Sequence, residues 1–418
     1  MPDFDMLGLK PALTDELKRA GLTQPTPIQT QAIPLALDGH DILGLAQTGT
    51  GKTLAFGLPL IDALLALPGK PAPKTAKALV LAPTRELVNQ IAESLRTLTS
   101  KTRLKVNTIV GGQSIGKQIN VLSRGTDILV ATPGRLIDLM ERGAVDLKTV
   151  HHLILDEADQ MLDMGFIHAL RRIAPHLGTP RHTMLFSATM PKQMEELSRT
   201  YLSNPKRVQV APPGKAADKI TQSVHFLEKG SKPSKLRDIL STDMDSLTLV
   251  FARTKHGAEK LMKGLVADGF NAASIHGNKS QGQRDRAIKA FREGTITVLV
   301  ATDVAARGID IPGVSYVINY YLPDVPDNYV HRIGRTARAG RAGEAIAFCT
   351  PDDIDILRQI EKLMKIDIPV GSGVAPVSKS PDPRIPSKRR RGGKPSQPAK
   401  PQQKPSNRRR RRPRRQAA

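Results

Sequence analysis

At 418 residues, 39% of them apolar, the chain is long enough for two or three domains, each with its own core. A single cysteine, Cys349, excludes an internal disulfide framework and a cysteine zinc site, and there is neither a signal-like N-terminus nor an apolar run of the roughly 18 residues that a membrane span needs, so a soluble, cytoplasmic protein with no membrane partner is expected. The net charge of +24 is unevenly placed: residues 371–418 carry 16 Lys or Arg against Asp382 alone, which leaves +9 on the first 370 residues.

From residue 4 to about 207, apolar runs alternate with amphipathic stretches. Candidate strands are 42–46, 78–82, 105–110, 127–131, 153–156 and 183–187, with helix-like segments such as 85–98 and 134–140 between them. This alternation predicts an α/β fold with a mostly parallel sheet covered by helices, binding ligands at the carboxyl ends of its strands. Residues 211–219 are small and turn-rich and read as a linker. The rhythm then resumes, with candidate strands 221–227, 248–252, 272–275, 297–301, 314–319 and 344–349, in a second domain without a phosphate loop of its own. The expected organisation is 1–210, linker 211–219, 220–370, and a basic tail 371–418. That tail holds nine prolines and the cationic runs 388–391 and 408–412. It cannot bury enough apolar surface to offset its ordering entropy, so disorder is expected, with a non-specific nucleic-acid arm as its role and a solubilising tail as the plainer alternative. Aromatics are 3% and Trp is absent, so nucleic-acid contacts are expected to run mainly through backbone and charge.

The most informative stretch is Ala46, Gln47, Thr48, Gly49, Thr50, Gly51, Lys52 and Thr53, between an apolar run and a helical pattern. Strand, glycine-rich turn and helix in that order are what a phosphate-binding loop needs. Backbone N–H groups and a helix N-terminus face the anion, Lys52 reaches the β- and γ-phosphates, and the Thr53 hydroxyl can ligate Mg²⁺. Ala46 departs from the glycine of the usual pattern. A second apolar run, 153–155, ends in Asp156 and Glu157. Asp156 is placed to hold Mg²⁺ beside Thr53, and Glu157 to accept a proton from, or orient, an attacking water. Carboxylates at a helix start are often only caps, but a cap does not explain the apolar strand that leads into these two.

With those residues in hand, the sequence resembles a DEAD-box RNA helicase over about residues 4–340. The resemblance implies two RecA-like domains that close over ATP and RNA together. It assigns adenine recognition to Gln29, whose amide can donate and accept at once, and an aromatic packing role to Phe4; Leu22 stands where the family usually has an aromatic. It assigns RNA-backbone contacts to Pro83, Thr84, Arg85, Gly112, Thr132, Pro133, Gly134 and Arg135 in the first domain. In the second domain the same role goes to Arg253, Thr254, Gln281, Arg284, Thr302 and Gly308. Ser187, Ala188 and Thr189 match the motif that couples ATP state to unwinding, and Asp310 the contact to the ATP ribose. Arg335 and Arg338 match arginine fingers on the γ-phosphate, with Ala337 in place of a more usual glycine. Together with Arg332 they have a spacing of three, which on a helix makes one basic face.

The reading that follows is an RNA-stimulated ATPase that locally opens short duplexes or remodels RNA–protein complexes, most like the bacterial RhlE-type branch. Ribosomal precursors or the RNA-degradation machinery are the expected setting, and the core is expected to be monomeric. An ATP-gated RNA clamp or annealing chaperone driven by the basic tail, and a DNA-directed helicase, stay open as alternatives.

Overall fold

Two seven-stranded parallel sheets organise the computed structural model, which describes residues 3–47, 49–210, 220–306, 311, 313–337 and 342–375. The first sheet contains β1 (Ile42–Leu45), β2 (Ala76–Leu81), β3 (Val106–Ile109), β4 (Thr126–Ala131), β5 (His152–Leu155), β6 (His182–Ser187) and β7 (Lys206–Gln209). The second contains β8 (Ile220–Phe226), β9 (Leu247–Phe251), β10 (Ala272–Ile275), β11 (Val298–Ala301), β12 (Val314–Asn319), β13 (Gly343–Cys349) and β14 (Val370–Ser372). The spatial orders are β3-β4-β2-β5-β6-β1-β7 and β10-β11-β9-β12-β13-β8-β14. Counted from the first strand of each, these are the same order.

Central strands such as β1, β4 and β11 are buried at every position, because helices cover both faces and leave no side for polar residues. On one face of the first sheet, helices Pro27–Leu37, Lys52–Ala66 and Arg85–Thr99 share a core with Phe4, Ile42 and Phe186. On the other, Leu43, Leu45 and Leu155 pack with Leu136, Leu170 and Met194. Cys349 lies in the second lobe's core, where burial pushes its thiol up to about 12. The two-lobed parallel α/β architecture read from the sequence is the one observed.

Two strands escaped the sequence reading. β7 is exposed at three of its four residues, and β14 has only three residues; both are edge strands with little apolar signal. β14 also corrects the boundary drawn at residue 370. Val370 pairs with Val224, the Val224 N–H donates to Pro369, and the Ser372 hydroxyl lies 2.7 Å from His225 Nδ1, so residues 371 and 372 belong to the second sheet and not to the tail. Residues 211–219 and the basic segment from 376 onward lie outside the described residues.

Lys232 is the first residue of helix Lys232–Thr242, which follows β8 after a 3-10 turn at Lys229–Ser231, and is 1% exposed. Its ammonium donates to the Tyr320 carbonyl at 3.0 Å, lies 3.7 Å from Asp353 and sits 4.4 Å from the Tyr321 ring centre. Burial pulls this lysine below its ordinary range, with Asp353 opposing.

At the opposite end of the first sheet from the loops, β5 starts with His152, whose ring meets His182 edge-on at 5.7 Å and whose Nδ1 has no hydrogen-bond partner. Burial, followed by the charges of His182 and His151, lowers His152 from 6.5 to about 4. The unfolded chain therefore takes up this proton first as pH falls. Stability is unaffected above pH 6.5 and decreases between 6.5 and about 4, by about 3 kcal/mol in total for this group. Urea midpoints measured across that window should fall more steeply for the native protein than for His152→Gln.

Candidate active site between the two lobes

The turn after β1 has the shape that an anion requires. Gly49 and Gly51 both have positive φ, 81° and 88°, and Gly51 caps helix Lys52–Ala66. A side chain at Gly51 would meet the amide of Gln29, which donates to the Gly51 carbonyl at 3.0 Å and accepts from the Thr26 N–H at 2.9 Å. The expected adenine reader thus also braces the phosphate loop, and one N–H and one lone pair of its amide remain for a base edge. Phe4 is 2% exposed and belongs to the core, so it supports this region from beneath and presents no stacking face. Ala46 is 3% exposed, with its N–H bonded to the Ser187 carbonyl; a small apolar residue suits that position. Thr50 closes the turn onto the Gln47 carbonyl at 2.8 Å. Thr48 lies outside the described residues.

Lys52, Asp156 and Glu157 converge beneath this loop, all at most 6% exposed. Lys52 Nζ is 3.9 Å from Asp156 Oδ1 and has no hydrogen-bond partner; Glu157 Oε2 also has none. A buried ammonium without a hydrogen bond is costly, and this one is suited to phosphate. Burial raises both carboxyls above their usual range, with Lys52 opposing, and for Glu157 the Arg335 guanidinium opposes as well. Glu157 has φ 51°, uncommon for a residue with a side chain, which turns it out of line with β5. The Thr53 hydroxyl and the Asp156 carboxylate form a donor set suited to Mg²⁺, which takes few protein ligands and keeps waters and phosphate oxygens for the rest.

From the second lobe, helix Pro326–Ile333 delivers His331 and stops two residues before Arg335. Arg335 therefore does not share a helical face with Arg332. Arg332 is 3% exposed and clamps Asp303 with two bonds of 2.5 and 2.7 Å, while also donating to Asn319 and the Tyr321 carbonyl. Arg335, 5% exposed, bonds the His331 carbonyl, and its charge reaches Glu157 across the lobe boundary. Ala337 has φ 55°, in the left-handed region that the more usual glycine would occupy without strain. Arg338, Gly308 and Asp310 lie outside the described residues.

The coupling residues gather on a carboxylate to which the sequence reading gave no role. Asp159 Oδ2 accepts from the N–H groups of Ala188 and Thr189 and from the Thr189 hydroxyl at 2.9–3.1 Å, and His331 lies 3.8 Å away. Ser187 donates to the Thr189 carbonyl at 2.7 Å and completes the turn. Burial alone would raise Asp159, but His331, Lys52 and the Thr189 bonds together hold it below the usual range. Beside it, Gln47, Thr189, Asp327 and His331 line a cavity of about 520 Å³ between the lobes.

The residues assigned to RNA occupy strand ends, as expected. Thr84 and Thr254 follow β2 and β9 and cap the next helices, accepting from Leu87 and Gly257. Thr132, Pro133, Gly134 and Arg135 open helix Pro133–Glu141, with Arg135 bonded to the Gln113 carbonyl. Pro83 precedes the Thr84 cap, and Thr302 caps the short turn after β11 through its carbonyl. Gly112, with φ 74°, leaves room for the Arg85 guanidinium, which would lie 2.0 Å from a Cβ there. Arg253 stacks over Tyr321 at 5.3 Å, between Asp324 and Asp353, each at 3.6 Å. Three assigned residues also bridge the lobes. Arg85 donates to Gln281 at 3.3 Å, Gln281 to Glu86 at 3.1 Å, and Arg284 pairs with Glu86 at 3.0 Å. Glu86, like Asp159, has no role in the sequence reading. At a helix start it looks like a cap, and nothing local points to a partner almost 200 residues away.

A phosphate loop in one lobe facing a buried arginine from the other defines a two-lobed NTP hydrolase whose site is complete only when the lobes meet. The DEAD/DEAH box helicase model matches residues 26–197, and the helicase conserved C-terminal domain model matches 231–340. The chain is 44% identical over 365 residues to the DEAD-box ATP-dependent RNA helicase CshA of Bacillus licheniformis, spanning 87% of this chain and 73% of that one. It belongs to the DEAD-box ATP-dependent RNA helicases. The structure of S. cerevisiae Dbp5 bound to RNA and ADP BeF3 is similar, with a TM-score of 0.80, 32% identity, and 88% of this chain and 95% of that one covered. A DEAD box protein from Methanococcus jannaschii is more identical, 37% over 88% of this chain and 99% of that one, yet superposes at a TM-score of only 0.52. What is shared with the Dbp5 complex is therefore the lobe arrangement as well as the lobe fold.

Asp159→Asn replaces an acceptor of three bonds by a group that presents N–H to N–H in one orientation. RNA-stimulated ATP turnover should fall about 10- to 30-fold, the equivalent of losing one charge-assisted bond, while nucleotide affinity changes little. A filter-binding and turnover comparison separates the two.

Proposed function

We propose that this helicase hydrolyses ATP only in the closed arrangement and uses closure to bend one RNA strand, opening a short duplex locally or displacing a bound protein. The observation that carries the reading is the buried Lys52 ammonium, which has no hydrogen-bond partner, beside the buried Glu157 carboxylate that Arg335 faces from the other lobe. Lys52 holds the phosphates, and Glu157 orients the water and takes its proton, which its raised carboxyl suits. Arg335, with Arg338, meets the negative charge that spreads over the transferring phosphoryl group. Thr53 and Asp156 would hold Mg²⁺, which neutralises phosphate charge when bound. Thr84, Thr132, Arg135, Arg253 and Thr254 grip phosphate and ribose oxygens without reading bases. Because ATP and RNA each favour closure, they bind cooperatively.

Within the family we keep the RhlE-type reading, supported by a two-lobed body followed by a Lys-, Arg- and Pro-rich segment; the identity to CshA favours that branch instead. RNA crosslinked to the protein in cells and sequenced would separate ribosomal precursors from transcripts in degradation as the substrates we assign to this cytoplasmic, monomeric protein.

Glu157→Gln should bind ATP and RNA normally but hydrolyse at least about 100-fold more slowly, trapping a long-lived ternary complex. Unchanged turnover would remove Glu157 from this role. Removing residues 377–418 should weaken RNA binding and flatten its salt dependence, since each lost phosphate contact takes about 0.7 from the slope of log K against log salt. Loss of RNA-stimulated turnover in that truncation would instead favour the clamp or annealing reading.

A further inference from the structure

The lobe-bridging residues Gln281 and Arg284 open helix Gln281–Arg292, and this helix start hangs from an edge strand. Among the described residues, β10 has β11 on one side and no strand on the other. The loop that leaves it, 276–280, is held by a single carboxylate oxygen on the neighbouring helix Lys255–Ala267. Glu259 Oε2 accepts from the Ser274 hydroxyl at 2.7 Å, from His276 Nε2 at 3.1 Å and from Lys279 Nζ at 2.8 Å. These bonds, that of Lys279 foremost, hold the Glu259 carboxyl down to about 2, so it is ionised throughout the useful pH range.

The tethered groups form the loop itself. His276 is 5% exposed; with its proton on Nε2 toward Glu259, its Nδ1 accepts from the Asn278 N–H at 3.3 Å. The Lys279 N–H returns to the His276 carbonyl at 3.0 Å. Ser280 then caps the helix in a reciprocal pair with Gln283, at 2.9 and 3.3 Å. One residue later Gln281 reaches Glu86 of the first lobe, and Arg284 reaches the same oxygen. Gln281 and Arg284 can meet Glu86 together only if the helix start is held in both position and rotation. Within the second lobe, the 276–280 loop ties this start to β10, while Arg284 also donates to the Ala305 carbonyl at 3.2 Å and Ala287, Ile288 and Phe291 seat the helix on the core.

We propose that Glu259 is a positioning residue for lobe closure: by fixing Ser274, His276 and Lys279 on one oxygen, it presents Gln281 and Arg284 to Glu86. This deepens the closure-gated reading given above and rests on it. Glu259 touches neither RNA nor nucleotide in this role.

The test uses the full chain, a single-stranded polyuridine oligonucleotide and ATP. Glu259→Gln should raise the RNA concentration for half-maximal ATPase stimulation about five-fold, with maximal turnover changed less than about two-fold. In a Glu86→Ala background the same substitution should add less than about two-fold, because the contact it positions is already lost. An equal effect in both backgrounds would overturn the proposal and leave Glu259 a stability residue of the second lobe. A second readout needs no activity: hydrogen exchange in the unliganded protein should quicken at Asn278, Lys279 and Gln283 by about ten-fold or more in Glu259→Gln. Unchanged exchange there sinks the inference whatever the enzyme does. A native protein whose ATPase ignores RNA would sink the functional reading alone. If Glu259→Gln does not fold, Lys279→Ala carries the test, with a half-stimulation shift of about two-fold in the same direction and the same dependence on Glu86.

Discussion

Everything at the lobe boundary follows from ionised groups taken out of water. Lys52, Asp156 and Glu157 are nearly inaccessible, and the one nearby cation of the first lobe stands 3.9 Å from a carboxylate without a hydrogen bond to it. Charges buried this way are destabilising unless matched, and the matches that suit them are a phosphate for Lys52 and the Arg335 guanidinium for Glu157. The first comes with the nucleotide and the second with the other lobe. Binding and closure thus relieve the same electrostatic deficit, which is why a site split over two lobes behaves as one.

The remaining interlobe contacts use the same logic at longer range. Arg85, Gln281, Glu86 and Arg284 form a polar chain in which Glu86 is 7% exposed and balances the bridging arginine. Arg85 also fills the space beside Gly112, in the row of residues expected to meet RNA phosphates. A phosphate arriving there would share donors with the lobe contact, so RNA binding and lobe contact draw on the same arginines. Asp159 does the equivalent on the nucleotide side, joining the Ser187–Thr189 turn to His331.

How much of this the sequence displayed depended on how local the cause was. Strands buried on both faces announce themselves as apolar runs, and the phosphate loop as glycines between strand and helix, so both were legible. The edge strands β7 and β14 were not, since one is mostly exposed and the other too short for a pattern. The three arginines at spacing three suggested a helical basic face; the helix ends at Ile333, and Arg332 instead locks Asp303 within its own lobe. Glu86 and Asp159 look like helix-start carboxylates in sequence, and only the meeting of distant segments gives them partners. Gln29 was recognised for what it offers a base, but not as the brace of Gly51.

The repeated strand order has a last consequence. β1 and β8 hold the same place in their sheets, and each leads into a helix whose first residue is a buried lysine, Lys52 in one lobe and Lys232 in the other. Thr84 and Thr254 cap matching helices after β2 and β9, and Asp156 and Tyr320 follow the matching strands β5 and β12. In the first lobe the lysine is left wanting; in the second a carbonyl, a carboxylate and an aromatic ring have closed over it. The two halves are one socket built twice, once shaped to hold a phosphate and once plugged from within. With its own lysine so occupied, the second lobe turns Arg335 toward the site of the first.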